Sequence, residues 1–246
     1  MKSVEAVVAQ KYNLRFSRFG AVPEASLWFS EDRQIMRFKL IADVLEKKLN
    51  KKGFSISDIG CGYGALLPYL FKRFPNVDFV YRGFDIAEKP ISYCNKTYGW
   101  ENVTFKIGNL PDKESDFSVM SGTYNYAPVV SVNVWQDYLF KNLTQIWKSS
   151  RLGIIFNVSV AHEACITNQN ICYFNKDNVK NFCESNLGRT SLFLSEKLPK
   201  EIESRLGSDT LELMQYAHIT HTKKVALQWR HHFYSLSSAG DTVPKL

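Results

Sequence analysis

Seven residues, Asp58-Ile59-Gly60-Cys61-Gly62-Tyr63-Gly64, hold the strongest binding signal in the chain. Glycines at alternate positions remove the Cβ atoms that would keep a ligand away from the backbone. Gly60, Gly62 and Ala65 also satisfy the spacing of a dinucleotide fingerprint, so a nicotinamide cofactor stays open on spacing alone. Asp58 argues the other way: a carboxylate two residues before the first glycine repels a pyrophosphate and attracts an ammonium or sulfonium. Asp85 ends the run Tyr81-Arg82-Gly83-Phe84-Asp85, where a carboxylate can accept both hydroxyls of a ribose. In Phe105-Lys106-Ile107-Gly108-Asn109-Leu110, the amide of Asn109 can meet an adenine edge while Ile86 and Leu110 cover its faces. Asparagine is equally a turn residue. Base, sugar and cation together describe one ligand.

These residues need elements to hold them. Ile35, Phe38, Ala42, Leu45 and Leu49 recur at helical spacing and predict a helix over Glu31–Leu49, capped by Ser30 and ended by Gly53. Phe54–Ile59 reads as a strand, the glycine cluster as a tight turn, and Ala65–Phe71 as a helix. The alternation continues with strand Phe79–Phe84, helix Glu88–Lys96, strands Val103–Ile107 and Phe117–Ser121, helix Val132–Ser149 and strand Gly153–Val160. Such alternation predicts an α/β fold: a doubly wound, mostly parallel Rossmann-like sheet with helices on both faces. Beyond Val160 come a polar loop at Asn168–Asn170, a helix near Asp177–Glu184, a strand near Ser191–Ser195, a helix over 208–218 and a last strand at Lys223–Trp229. The first thirty residues follow no strong period.

In order and spacing these segments resemble the motifs of class I S-adenosylmethionine-dependent methyltransferases, over roughly residues 30–160. The resemblance implies that the glycine turn, through Asp58, Gly60, Cys61 and Gly62, takes the methionine portion, and that Asp85 and Ile86 take the ribose and base. Asn109 stands where such enzymes often have aspartate, but an amide can still pair with adenine. The segment from Trp28 to Phe38 is similar to the first helix of small-molecule members, where Arg37 would meet the methionine carboxylate; Arg37 could instead pair with Glu31 or Asp32. Ser121-Gly122-Thr123-Tyr124-Asn125 resembles the end of the fourth strand in a loosely described bacterial group, which places Ser121 by the cofactor.

Ligands of open α/β sheets bind beyond the carboxyl ends of the strands. Tyr124, Asn125 and Tyr126 belong there, and Tyr12, Phe16 and Phe19 make residues 1–30 a candidate lid over a methyltransferase domain of residues 31–246. His162 follows the fifth strand and is a candidate general base, or a satisfied loop histidine. The expected acceptor is a small organic molecule. The net charge of +7 leaves a nucleic acid conceivable, but the basic residues are dispersed and the fourth strand lacks an Asn/Asp-Pro-Pro-Tyr ending. A nicotinamide oxidoreductase and a noncatalytic binding protein are the other rivals.

With 45% hydrophobic and 22% charged residues, the 246-residue chain can bury a core, which excludes disorder as its main state. Five cysteines without CxxC pairing indicate neither a disulfide framework nor a metal site and suit a reducing compartment. The absence of an apolar run of about 18 residues, and charges at Lys2, Glu5, Lys11, Arg15 and Arg18, predict a cytoplasmic protein with no membrane span.

Overall fold

The computed structural model describes residues 3–28, 30–48, 53–128, 130–195 and 213–220. Among these described residues nine strands form one sheet: β1 (Phe54–Ile59), β2 (Phe79–Asp85), β3 (Val103–Ile107), β4 (Ser115–Ser121), β5 (Ser150–Ala161), β6 (Cys165–Ile166), β7 (Cys172–Asn175), β8 (Arg189–Ser195) and β9 (Leu213–Thr220). The order runs β3-β2-β1-β4-β5, and all four of those pairings are parallel. Beyond β5, β9 enters antiparallel and pairs on its far side with β8, while β7 meets only the last two residues of β5.

The described residues hold six α-helices: α1 (Val4–Phe19), α2 (Glu31–Glu46), α3 (Leu66–Arg73), α4 (Glu88–Thr97), α5 (Val132–Lys148) and α6 (Lys176–Asn186). β1 is buried at all six positions, as a central parallel strand covered on both faces must be. One apolar cluster joins Ile41 and Leu45 of α2, Leu67 and Leu70 of α3, and Ile91 of α4 to Ile56 and Tyr81. The other joins Trp135, Leu139, Leu143 and Ile146 of α5 to Phe156, Val158 and Val179. The doubly wound reading is thus the observed one. Ser30 caps α2 as expected, its Oγ accepting from Arg33 N at 3.3 Å, although Ile35 faces outward.

The structure departs from the sequence reading at both ends. Residues 4–19 form a helix, started by Ser3, whose Oγ accepts from Ala6 N at 3.2 Å. Only Val8 of that helix is buried, so the apolar stripe that reveals a helix is weak. The helix expected over 208–218 is in its described part the strand β9, because its backbone pairs with β5 on one side and β8 on the other. Such two-sided pairing overrides local preference. The strand expected at Lys223–Trp229 lies outside the described residues. The short strands β6 and β7 were not foreseen.

Candidate functional site

Four strand ends meet at one edge of the sheet. Register sets Ile59 beside Phe84 and Asp85 beside Ile107, while β4 reaches the same edge at Ser121. β1 is flanked by β2 on one side and β4 on the other, so successive connections diverge there and open a crevice above it. A cavity occupies that crevice.

The glycine turn forms its floor. Gly60 N and Cys61 N both donate to Phe84 O, at 2.7 and 3.0 Å, tying the turn to β2. Gly60 and Gly62 have φ of +75° and +55°, in the left-handed region that other residues enter at a cost. A Cβ at Gly60 would lie 2.6 Å from Thr123, whose hydroxyl donates to Ile59 O at 2.6 Å; one at Gly62 would approach Ser26 Oγ at 3.1 Å. Glycine is demanded by the neighbouring chain as well as by the opening to a ligand.

Two carboxylates line the cavity. Asp58 is 2% exposed; Tyr81 OH donates to its Oδ2, and its Oδ1 is buried without a hydrogen-bond partner. Burial raises its pKa, Tyr81 opposes the rise, Asp85 adds to it, and the result is about 7. A buried carboxylate with an open oxygen calls for a cationic or donating ligand group. Asp85 is fixed differently: Oδ2 accepts from Gly62 N at 2.9 Å and Oδ1 from Ala87 N at 2.8 Å. Burial raises its pKa too, against the pull of those N–H groups. Ser121 Oγ, also on the lining, is buried without a partner. An ammonium, ribose hydroxyls and an adenine edge would each find a chemically suited group here, so the residues fit S-adenosylmethionine.

Much of the remaining lining is aromatic. Tyr12 and Phe16 of α1, Trp28, Tyr124, Trp135 and Tyr138 all line the cavity. Trp135 Nε1 donates to Tyr124 O at 2.8 Å and its ring stacks on Tyr138 at 5.0 Å between centroids. Trp28 follows a 3-10 turn, Pro23–Ser26, and its other contacts are the Gly122 turn and the Arg37 guanidinium, 4.0 Å from the ring centroid. α1 is latched to the start of α4, where Asn13 Oδ1 accepts from Lys89 N at 2.9 Å and Lys89 Nζ donates to Ser17 Oγ. Asn109 Nδ2 donates to Glu5 Oε1 of α1 at 3.1 Å and to Tyr138 OH at 3.4 Å.

The structure gathers Tyr12, Phe16, Trp28, Asp58, Gly60, Cys61, Gly62, Asp85, Ile86, Asn109, Ser121 and Tyr124 around this one cavity. Six other expected site residues are not on its lining. Arg37 is 5% exposed and stacks on Trp28, supporting the wall. Leu110 is partly buried and packs against the α5 core cluster. Phe19, at the exposed end of α1, carries Arg15 and Arg18, each 5.0 Å from its ring centroid. Asn125 is structural: its Oδ1 accepts from Ser159 N at 3.0 Å and its carbonyl from Cys172 N at 2.7 Å. Tyr126 is buried edge-on to Tyr12 at 5.9 Å. His162 is exposed in the loop after β5, where its carbonyl accepts from Asn175 Nδ2 at 2.7 Å.

Sequence reasoning missed Gln34, which accepts from Tyr63 OH at 2.9 Å, as well as Ser26, Thr123 and Tyr138. Tyr138 sits one helical turn from Trp135, a spacing that could have revealed it. No histidine or lysine lines the cavity among the described residues.

No model of a protein family matches the chain. By architecture it has the class I fold of S-adenosylmethionine-dependent methyltransferases. Magnesium protoporphyrin IX methyltransferase from Synechocystis, solved with bound S-adenosylmethionine, matches with a TM-score of 0.63 at 12% identity over 89% of this chain and 99% of its own. A Leishmania major S-adenosylmethionine-dependent methyltransferase matches with a TM-score of 0.64 at 13% identity, over 89% of this chain and 87% of its own. The 1,6-didemethyltoxoflavin N1-methyltransferase of Burkholderia thailandensis, solved with S-adenosylhomocysteine, gives a TM-score of 0.55 at 14% identity, over 89% and 92%. In sequence, the chain is 35% identical over 105 residues to a Mycobacterium tuberculosis protein named "Putative methyltransferase", a match covering 42% of this chain and 62% of that relative.

Proposed function

We propose that the chain is an S-adenosylmethionine-dependent methyltransferase acting on a small organic acceptor. The observation that carries this reading is the pair of carboxylates at the switch point: Asp58 with an open buried oxygen beside the glycine turn, and Asp85 held by Gly62 N and Ala87 N. Asp58 would hold the ammonium, Asp85 the ribose and Asn109 the adenine. The cofactor would supply a methyl group made electrophilic by its sulfonium. The chain's own task is to align an acceptor in line with that methyl and keep water away.

The aromatic wall suits both tasks, since flat apolar faces orient a compact molecule and exclude water. Burial holds the phenols of Tyr12 and Tyr124 above their ordinary value, so they stay protonated donors at neutral pH. Asp58 and Asp85 are the titratable carboxylates on the lining, and no histidine or lysine joins them among the described residues. The small-molecule reading is supported by this enclosure; the Synechocystis and Burkholderia neighbours act on small molecules of their own. Residues 1–30 act as a lid, since α1 supplies Val8, Tyr12 and Phe16 to the lining and is tied down through Lys89. Cytoplasmic residence is supported by five free thiols; no helix among the described residues is long and apolar enough to cross a membrane.

Calorimetric titration tests the cofactor reading: micromolar binding of S-adenosylmethionine and S-adenosylhomocysteine is expected, with no binding of a nicotinamide dinucleotide. Preference for the dinucleotide would overturn it. Steeply salt-dependent binding of RNA or DNA, with methyl incorporation into it, would overturn the small-molecule acceptor.

A further inference from the structure

Asn109 poses a problem of orientation. A carboxylate at this place presents an oxygen whichever way it turns, whereas an amide has a donor end and an acceptor end, and only one of them suits a given base edge. The 6-amino group of adenine is a donor and needs the amide oxygen. A 6-oxo purine needs the amide nitrogen.

The polar atoms around Asn109 settle which end is used within the protein. Its Nδ2 lies 3.1 Å from Glu5 Oε1 and 3.4 Å from Tyr138 OH. A carboxylate oxygen accepts only, so turning the amide over would set two acceptors against each other. Glu5 comes from the first turn of α1, 104 residues away in sequence, so the lid itself carries the group that turns Asn109. Tyr138, from α5, offers the same nitrogen a second oxygen. With Nδ2 engaged by these two, Oδ1 is the amide atom left for a ligand, and Asn109 lines the cavity.

We infer that Glu5 is a positioning residue that locks the Asn109 amide with its oxygen available, and so makes the site select a 6-amino purine over a 6-oxo purine. This rests on the cofactor reading above, because it takes Asn109 as the adenine contact. Glu5 touches no part of the ligand in this account. It acts through Asn109, and it couples base selection to the closed position of α1.

The test uses the full-length protein and two ligands, S-adenosylhomocysteine and its deaminated 6-oxo analogue S-inosylhomocysteine, titrated calorimetrically. The unaltered protein is expected to favour the amino ligand by roughly tenfold, since the oxo ligand leaves facing acceptors unpaired. Glu5→Leu frees the amide to rotate, and the ratio should fall toward one. Glu5→Lys, which can only donate, should draw Oδ1 toward itself and shift preference to the oxo ligand. Glu5→Gln keeps an accepting oxygen and should retain most of the discrimination, which guards against a result due only to a misplaced helix; circular dichroism checks that each variant is folded. A purely structural role for Glu5 would weaken both ligands by the same factor, and an unchanged ratio in Glu5→Leu would overturn the inference. Equal binding of both ligands by the unaltered protein would overturn it while leaving the cofactor reading intact. Failure to bind either ligand would overturn both.

Discussion

The two halves of the cavity are built in different ways. The half assigned to the cofactor comes from strand ends and the turns that follow them: Asp58 and the glycine turn, Asp85, Asn109 and Ser121. Their places are set by parallel ladders, in which β1 is buried on both faces and β3 has an exposed one. The half assigned to the acceptor is aromatic and comes from α1, the 3-10 turn, the loop after β4 and one face of α5. It is held by side-chain contacts such as Trp28 on Arg37 and Trp135 on Tyr138. A rigid polar half can read one invariant ligand, whereas a wall of separate helices can be refitted to another acceptor without disturbing the sheet.

The largest expected effect falls on the rigid half. Asp85→Ala removes the proposed ribose acceptor and also frees Gly62 N and Ala87 N, so affinity for S-adenosylhomocysteine should fall about a hundredfold or more, from the loss of two charge-assisted bonds to the ribose hydroxyls at about 1.5–3 kcal/mol each. Isothermal titration measures this, and an unchanged Kd would remove Asp85 from the site.

Next comes the aromatic half. Tyr12→Ala removes an aromatic ring of α1 from the cavity lining and, if α1 is the proposed lid, should lower kcat by roughly tenfold or more. Because α1 is latched to α4 beside Asp85, a smaller loss of cofactor affinity, about threefold, should accompany it. Equal losses in kcat and affinity would erase the distinction between the halves.

Asp58→Asn should separate stability from binding. The carboxyl's pKa is raised on folding from 3.8 to about 7, so its stabilising contribution is fully present below the unfolded value and is lost as pH rises through 7. At pH 8 the variant should therefore be more stable than the parent, by on the order of 2–4 kcal/mol, with no such gain at pH 4. Cofactor binding should weaken in the same variant. Thermal melts at the two pH values check the sign, and a variant less stable at pH 8 would contradict a strained, charged Asp58.

The smallest effect is expected at His162. Exposed after β5 and absent from the lining, it should tolerate His162→Ala with kcat and KM within about twofold. A large loss in kcat would restore it as a base and place the acceptor elsewhere.

The same division explains what could be read in the sequence. Asp58 and Asp85 lie in the last residues of their strands, and the glycine turn and Asn109 come just after strand ends, so local pattern and the rule for strand ends locate them together. Tyr138 is signalled only by its helical spacing from Trp135, and Ser26 reaches the cavity through a 3-10 turn that no local spacing reports. Asn125 and Tyr126 misled for a related reason: they are polar or aromatic at the right strand end, yet their side chains pair with Ser159 N and Tyr12. In its described part, residues 213–218, the helix expected over 208–218 is a strand, because β9 owes its form to two neighbouring strands.

The raised pKa of Asp58 has a thermodynamic consequence for the ligand. Near neutral pH a carboxyl that titrates at about 7 is close to half protonated, and an ammonium arriving beside it favours the ionised form. Cofactor uptake is then also the discharge of a fraction of a proton to solvent. The heat recorded on binding should shift between phosphate and Tris by that fraction of the difference in buffer ionisation enthalpy, and lowering the pH below 7 should weaken cofactor loading.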